Sequence, residues 1–529
     1  MAAKTKTTHS PETAKAEYQK LSRDRQQFLS RAHECAKLTI PSLIPFENDQ
    51  SRKNEDVDIE QPWQSIGSTG VNTLAAKLLV TILPPNTPFF QLTISRKQRS
   101  ELAGLEPEQA DQLASQIEAG LQRMEAEVVR DIEVSTLRTN LFTTLKHLLV
   151  SGNYLLYLGD DIKGFQLYKF VAVRDPSGNL MKLIVRECVD EKTLPQDLVA
   201  EAKRGEIYDS HKDGDNIELY TVVERTGPDS WVSYQEAFDQ VIESTRGTYT
   251  DESLPWVCLR MIPIDGEDYA RLYVEELFGD LQSSEDLTKA IVQGSMISSR
   301  LLWLVNPNGM TDADELQDAS NGDILEGRVE DVQALRADKM GDFQVAQAVL
   351  QQIIARLERA FLLTSSVQRQ AERVTATEID RLTQELDDAL GGYYSLLSQE
   401  LQLPIAFRWI NKMQGKGDIP KLPSGSVEPM IVTGIDALGR GQDLNKLRGL
   451  ISDLTTLAQA LPSIAQRIDE GELIQRLANG HGVDVSALIK TDEQIAAEVA
   501  EQQQAQMTQS MVDKGTAPAI QAVANNQGQ

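Results

Sequence analysis

The feature that most constrains this chain is a thirty-residue segment, residues 61–90, that carries one charged side chain, Lys77, although the whole chain has a formal net charge of -27. A membrane-spanning helix needs about 20 consecutive and mostly apolar residues, and polar residues interrupt this segment too often for that. Pro84 and Pro85 would end any helix before them, because proline lacks the backbone N–H and clashes with the preceding turn. Helical spacing of Leu74, Leu78 and Ile82 therefore predicts a buried helix that ends near Leu83.

The acid excess limits the partners that the chain as a whole can bind. It has 79 Asp and Glu residues against 52 Lys and Arg residues, which opposes simple binding to DNA or to anionic lipid. Residues 1–40 hold eight basic and four acidic side chains, a modest excess that is typical of a solvated helix face. No basic region followed by an apolar run opens the sequence, so we expect no export signal and synthesis in a cytoplasm. At 529 residues, 41% of them hydrophobic, the chain should fold into several sub-domains.

The sequence contains no motif typical of a catalytic site. A phosphate-binding loop, an HExxH motif and a GxSxG motif are all missing. The five histidines are scattered and are expected to be ordinary core or surface residues. Cys35, Cys188 and Cys258 lie far apart and form no CxxC pair, so we expect small buried residues rather than disulfides or zinc ligands.

Asp312, Asp314 and Glu315 form the cluster that most resembles a metal site. They lack the glycine and the distal glutamate of an EF-hand calcium loop, so a solvated acidic helix start is the favoured interpretation. A metal-dependent nuclease that uses these three carboxylates stays open as an alternative, and so does a helical scaffold or adaptor without a pore.

Helical periodicity dominates the first third of the chain, with predicted helices over residues 18–40, 105–132 and 137–149. Residues 152–265 then change to short apolar runs of period two and predict an antiparallel sheet. A turn is predicted at Asp175–Asn179, because proline presets φ and glycine allows a positive φ.

Two further helical patterns bracket an acidic insert. Apolar residues recur at helical spacing over residues 277–301 and 342–363, while the residues between are rich in acids and turn formers. This order predicts an αα-hairpin whose tip is a small separate module that projects from the main body. After a polar loop, Thr375 and Glu378 fit a capping box that starts a long helix, and Pro404 is expected to end it.

Several segments of the chain closely resemble the portal, or head-to-tail connector, family of short-tailed, autographivirus-like DNA phages. They are QPWQSIGSTGVNTLAAKLLVTILPP, SMISSRLLWLVNPNGMT and AERVTATEIDRLTQELDDALGGYYSLLSQELQLPI, with RAHECAKLTIPSLIP before them and GIDALGRGQDLNKL after them. The resemblance extends over about residues 15–500 in matching order. It implies an α+β, predominantly helical fold of the phage portal type, assembled as a ring.

The resemblance also implies a division of the chain into the parts of a portal subunit. These are an N-terminal helical and β part of the wing (1–273), a first stem helix (274–303), the clip (304–341), a second stem helix (342–362), the tunnel loop (363–374), the long wing helix with its return segment (375–437), a helical crown (438–500) and a polar tail (501–529).

The implied function is a twelve-subunit ring at one capsid vertex of the virion, through which double-stranded DNA enters during packaging and leaves during ejection. The implied partners are identical copies of the chain, non-specifically and transiently bound DNA, the terminase large subunit, major capsid and scaffolding proteins, tail adaptor and tail tube proteins, and internal core proteins. Neither an enzymatic activity, a cofactor, a metal nor a membrane is implied.

Two sets of residues are then predicted to act at sites. Arg369 and Arg373, in the predicted tunnel loop, would make sparse phosphate contacts in an otherwise acidic channel, although capping or pairing with nearby glutamates is an equal alternative. Asp312, Asp314 and Glu315 in the clip would face the packaging motor and the tail adaptor. Relatives of the family are more basic there, so the sign of this surface is a departure from the family pattern.

Overall fold

The computed structural model describes residues 13–45, 59–85, 88–94, 107–205, 207–213, 216–298, 302–335, 340–363, 386, 396–420 and 427–430. The chain divides into two units, Met1–Ala437 and Leu438–Gln529, and the described residues all belong to the first. Arg369, Arg373, the predicted capping box at Thr375 and Glu378, and the predicted crown and tail therefore lie outside the described residues.

Four helices form the N-terminal part of the described fold. They are α1 (Ala14–Lys37), α2 (Ile66–Ile82), α3 (Pro107–Val134) and α4 (Leu137–Ser151). Helix α1 begins earlier than the apolar periodicity predicts, because the Thr13 side chain caps it by accepting the N–H of Ala16 at 3.4 Å. The other helices match the sequence-based expectations to within a few residues.

Helix α2 confirms the prediction made for the weakly charged segment. Leu74 and Leu78 are fully buried and Ile82 is 1% exposed. The helix ends with Leu83 as its C-cap, directly before the two prolines. Among the described residues, no helix is long and apolar enough to cross a membrane.

The predicted antiparallel strands form two sheets. A strand outside the predicted region, β1 (Gln91–Ile94), precedes them, and their own bounds are β2 (Asn153–Leu158), β3 (Ile162–Phe165), β4 (Phe170–Arg174), β5 (Leu180–Val189), β6 (Lys212–Asp213), β7 (Asn216–Gly227), β8 (Ser230–Ala237), β9 (Gln240–Tyr249) and β10 (Trp256–Arg260). One sheet has the order β10-β2-β3, and the other has the order β4-β5-β7-β8-β9 with β6 paired to β7. The predicted turn joins β4 to β5, where Gly178 has a φ of 82° and Asp175 donates its N–H to the Asn179 carbonyl.

A short helix, α5 (Gln196–Arg204), interrupts the strand region and was not predicted. It packs Val199 and Ala202 against Phe238 in a small core of its own. Cys35 is buried as predicted and Cys258 is only partly buried, whereas Cys188, near the end of β5, is exposed, so the prediction that the cysteines are buried is wrong for Cys188. The reason is local, because the buried centre of β5 ends before it, at Val185.

The predicted hairpin and its insert follow strand β10 in the chain. The elements are α6 (Tyr273–Glu276), α7 (Phe278–Ser298), β11 (Leu302–Val305), α8 (Ala313–Asp318), β12 (Val332–Leu335) and α9 (Met340–Ala360). The long helices α7 and α9 bracket the insert, and β11 pairs with β12 in antiparallel register.

Pro404 does not end a helix, which corrects the prediction. A π-helical segment, Ser398–Gln402, leads directly into α10 (Leu403–Lys416), and the proline stands in the first turn of α10. Proline is tolerated in a first helical turn, where the backbone N–H has no partner within the helix. The last described strand, β13 (Val427–Met430), pairs with β1.

The main hydrophobic core joins the N-terminal helices to the three-stranded sheet, the end of α9 and helix α10. A separate contact holds α1 on the six-stranded sheet, where Tyr18 packs against Tyr220. Arg25 strengthens this attachment, because its buried guanidinium donates to the carbonyl of Phe170 at 2.8 Å. The body of the fold is thus well packed, and the hairpin extends from it.

Candidate functional site: the hairpin and its insert

The insert between the two long helices is held together by a carboxylate. Asp331 accepts the Met310 N–H on its side chain at 2.9 Å, and its carbonyl accepts the Asn306 N–H at 2.8 Å. The Thr311 hydroxyl accepts the Arg328 N–H at 3.0 Å across the same loop. Polar contacts therefore fix the base of the insert beside the β11–β12 pair.

The predicted acidic cluster lies at the start of α8. The Asp312 carboxylate accepts the Asp314 N–H at 2.9 Å and so acts as the N-cap of the helix. Asp314 and Glu315 follow in the first turn, and all three side chains are exposed. This confirms the expectation of a solvated acidic helix start. Among the described residues, no group of three or more His, Cys, Asp or Glu side chains could hold a metal ion.

Residues 304–333, the part of the insert whose side chains the structure describes, form no hydrophobic interior. None of residues 304–333 is buried, and Ile324, Val329 and Met310 are 98%, 93% and 75% exposed. Residues 302–335 also contain eight acidic side chains and one basic one, Arg328. Large apolar side chains exposed close together in the sequence are typical of a surface that binds another protein.

Among the residues whose burial the structure describes, the two long helices are buried only at their base. Leu281 and Ser284 of α7 and Ile353 and Leu357 of α9 are buried, whereas no residue of 285–297 or 343–352 is. Near the base, the guanidinium of Arg356 bonds both carboxylate oxygens of Asp280 at 2.6 and 3.1 Å. These hydrogen bonds and the negative charge raise the pKa of Arg356.

Farther along the hairpin, the helices meet through a glycine. A Cβ added at Gly294 would lie 2.5 Å from the ring of Phe343, so only glycine allows this close approach. On either side of that contact, Met296, Ile297 and Val345 are 58%, 65% and 66% exposed. This part of the hairpin therefore presents large apolar side chains that are more than half exposed.

The hairpin is tied to the segment before α2 by a residue that the sequence did not single out. Glu285 of α7 accepts the N–H groups of Trp63 and Gln64 at 2.9 and 3.1 Å, one on each carboxylate oxygen. A lone glutamate on an amphipathic helix gives no sequence signal for such a role, because nothing local marks its distant backbone partners.

The end of α9 is a second attachment point. Leu362 has a φ of 56°, and its carbonyl accepts a hydrogen bond from the Nζ of Lys77 at 2.6 Å. Lys77, the one charge of the segment 61–90, thus lies 4% exposed against the point where the chain leaves the hairpin. Of the predicted site residues, the structure places the three acids in the insert, and Arg369 and Arg373 lie outside the described part.

This architecture defines a class of protein. It combines a packed α+β body with a hairpin and an acidic insert whose described apolar side chains are largely exposed, and such exposed apolar surface is typical of proteins that bind other proteins. The sequence model of the family described as bacteriophage head to tail connecting protein matches residues 11–489, and the chain belongs to this family.

Curated relatives agree with this assignment. The portal protein of Enterobacteria phage T3 is 42% identical over 494 residues, which cover 91% of this chain and 89% of the relative. The portal protein of Escherichia phage T7 is 39% identical over 523 residues (97% and 94%), and that of Enterobacteria phage SP6 is 30% identical over 511 residues (96% and 95%). The resemblance seen in the sequence is confirmed, as is the α+β fold class, and these relatives are structural proteins rather than enzymes.

Among solved structures, a chain from the neck of an empty GTA particle is similar over 73% of this chain and 86% of its own length. Its TM-score is 0.34 and its sequence identity is 11%, so this likeness carries no argument here.

Proposed function

We propose that this chain is the portal subunit of a short-tailed phage and that identical copies close into a ring that conducts double-stranded DNA at one capsid vertex. The observation that supports assembly most directly is the distribution of exposed apolar side chains. Fifteen large ones are exposed among the described residues, and nine of them lie between Met296 and Val349. Apolar surface concentrated on one projecting element is typical of an interface.

The hairpin is the part of the subunit that we expect to face its neighbours. Each copy in a ring makes two different contacts, so one hairpin surface meets a different surface of the next copy. Burying Ile297 and Val345 between copies would remove from water the apolar area that a single chain leaves exposed. The count of twelve copies rests on the family resemblance and is part of the proposal.

Electron microscopy and native mass spectrometry test the assembly. Rings should form from the 58.7 kDa wild-type chain and should be lost when Ile297→Glu and Val345→Glu are combined. Val134→Glu is the matched control, since this valine is 85% exposed but lies on α3, outside the hairpin. A monomer under every assembly condition, or rings that tolerate the hairpin pair, would contradict the proposal.

We retain the division of the chain into the parts of a portal subunit as part of the proposal. The parts are the wing (1–273 and 375–437), the stem (274–303 and 342–362), the clip (304–341), the tunnel loop (363–374) and the crown (438–500). The alternation of packed body, projecting helices and coreless insert supports it. In this scheme the wing and crown contact capsid, scaffolding and internal core proteins, and the clip contacts the terminase large subunit and later the tail adaptor and tail tube.

The proposed DNA contacts are made by Arg369 and Arg373 in the tunnel loop. A transporting channel must not bind its substrate tightly, and DNA is held wherever Lys or Arg side chains neutralise phosphates. An acidic subunit with few cations at the lumen suits this requirement. Arg369→Ala combined with Arg373→Ala should shorten the packaged DNA or weaken its retention in the capsid. Arg369→Lys combined with Arg373→Lys keeps both positive charges and should leave DNA length and retention unchanged. Unchanged packaging and retention in the alanine variant would refute the assignment.

The clip is proposed to dock through its acidic face. Asp312→Asn, Asp314→Asn and Glu315→Gln together remove three charges, and the asparagine at 312 preserves the helix cap. Binding to the motor and to the tail adaptor should weaken and lose part of its salt dependence. Asp197→Asn, Glu201→Gln and Asp209→Asn remove the same charge from exposed positions of the body and serve as the control. Equal behaviour of the two triple variants would contradict charge-directed docking.

The two alternatives raised from the sequence receive no support. A nuclease would need the acidic cluster for a metal, but the Asp312 carboxylate is engaged in capping α8. The alternative of a helical scaffold without a pore is disfavoured because each of the named relatives is a portal protein.

A further inference from the structure

We propose that Lys77 is a positioning residue, which fixes the end of helix α9 and thereby the direction in which the chain leaves the hairpin toward Arg369 and Arg373. The inference rests on the proposed function, since it is the DNA path that gives this direction a purpose. It assigns a transport role to the one charge in the segment 61–90, a residue far from the hairpin in the sequence.

Helix α9 ends in a Schellman motif that has leucine where glycine is usual. The N–H of Leu363 bonds the Glu358 carbonyl at 2.7 Å, and the N–H of Leu362 bonds the Arg359 carbonyl at 3.1 Å. Both bonds require the left-handed backbone at Leu362, whose φ is 56°. Side chains with a Cβ adopt this conformation at a cost, so the surrounding structure must hold it in place.

Three contacts between described residues hold this helix end against the body. Phe361 is fully buried and lies over Gly70 of α2, where an added Cβ would be 2.4 Å from the ring. The hydroxyl of Tyr273 donates to the Ala360 carbonyl at 2.8 Å. The Lys77 ammonium donates to the Leu362 carbonyl, the acceptor of the strained residue itself.

The positive charge of Lys77 does more than fill space in the core. The position on α2 is almost fully buried, and a methionine there would avoid the desolvation of an ammonium group. A buried ammonium instead supplies a donor directed at a helix C-terminus, where positive charge is stabilised by the helix dipole. Lysine thus selects one exit direction, which an apolar residue of similar size would not do.

The direction in which the chain leaves α9 matters because only a few residues separate Leu362 from the predicted DNA contacts. Arg369 is seven residues beyond Leu362 and Arg373 is eleven. The same helix carries the insert at its other end, where we propose that the motor docks. Lys77 and Gly70 therefore join the body to the helix that links the proposed docking site and the proposed DNA contacts.

Amide hydrogen exchange of a peptide covering residues 357–363, measured by mass spectrometry on assembled rings, tests the inference. In Lys77→Met, exchange in this peptide should be about tenfold faster, since one hydrogen bond from a charged donor is lost. Lys77→Arg keeps a charged donor and should restore slow exchange. Lys289→Met makes the same change at an exposed position of α7 and is the control.

Gly70→Ala is a second route to the same result. Its new Cβ displaces Phe361 and releases the helix end without touching the lysine. It keeps the test usable if Lys77→Met does not fold. DNA retention in virions assembled with either variant is the functional measurement, and it should fall while rings still form.

Unchanged exchange in Lys77→Met and Gly70→Ala rings would overturn the inference. Faster exchange with normal DNA packaging and retention would overturn it as well, because the helix end would then have no bearing on transport. Neither result would refute the proposed portal function, which fails separately if no rings form.

Discussion

An ion pair between distant parts of the chain gives the sharpest stability prediction. The guanidinium of Arg260, at the end of β10, donates to Glu400 at 2.6 and 3.1 Å, and the Arg260 backbone N–H donates to the other carboxylate oxygen at 3.2 Å. The side chains are 12% and 19% exposed. Breaking a buried pair costs about 3–5 kcal/mol, so residual exposure places Glu400→Ala near the lower end, at about 3 kcal/mol.

A double-mutant cycle separates the pair from the effects of truncation. Urea unfolding of Arg260→Ala, Glu400→Ala and the double variant, followed by tryptophan fluorescence, should give a coupling free energy of about 2 kcal/mol. Surface pairs give about 0.2–1 kcal/mol. A coupling below about 1 kcal/mol, or one abolished by high salt, would refute the claim that this pair fastens the π-helical segment to the sheet.

Two further predictions concern the body and the hairpin. Burial lowers the pKa of His147 from 6.5 to about 4, so the unfolded chain binds an extra proton between these values and stability falls as the pH drops through this window. His147→Phe keeps a ring stacked on Tyr154 and should remove about 3 kcal/mol of this acid-induced loss in the free energy of unfolding. If the free energies of unfolding of the wild type and the variant fall equally between about pH 7 and about pH 4, the prediction is wrong. Gly294→Ala should destabilise the hairpin by about 1–3 kcal/mol through its contact with Phe343. Gly279→Ala, on the same helix with open space around it, should stabilise by up to about 1 kcal/mol, and thermal unfolding that ranks the two alanine variants the other way would refute the packing argument.

Long periodic segments were predictable because their signals are local. Leu74, Leu78 and Ile82 mark one face of α2, and the prolines after Leu83 mark its end, so the helix follows from neighbouring residues alone. The hairpin and its insert were predictable for the same reason. Helix α5 was missed because its nine residues are too few to show a repeated apolar face within a region of strands.

The attachment points could not be read from the sequence. Leu362 occupies a cap position where glycine is the usual signal, so its chain reversal has no local mark. Glu285 acts on backbone groups more than two hundred residues earlier. Pro404 was misjudged because a proline is compatible with either the end of one helix or the first turn of the next, and only the course of the preceding π-helical segment distinguishes them.

The absence of any buried side chain in residues 304–333 has an evolutionary consequence. Substitutions there change no interior packing, so natural variation can alter this surface almost without endangering the rest of the subunit, provided that Asp331 and Thr311 keep the loop closed. If the insert is the docking surface proposed above, a phage lineage would exchange one molecular motor or tail for another by changing a few solvent-facing positions, while the proposed ring is inherited unaltered.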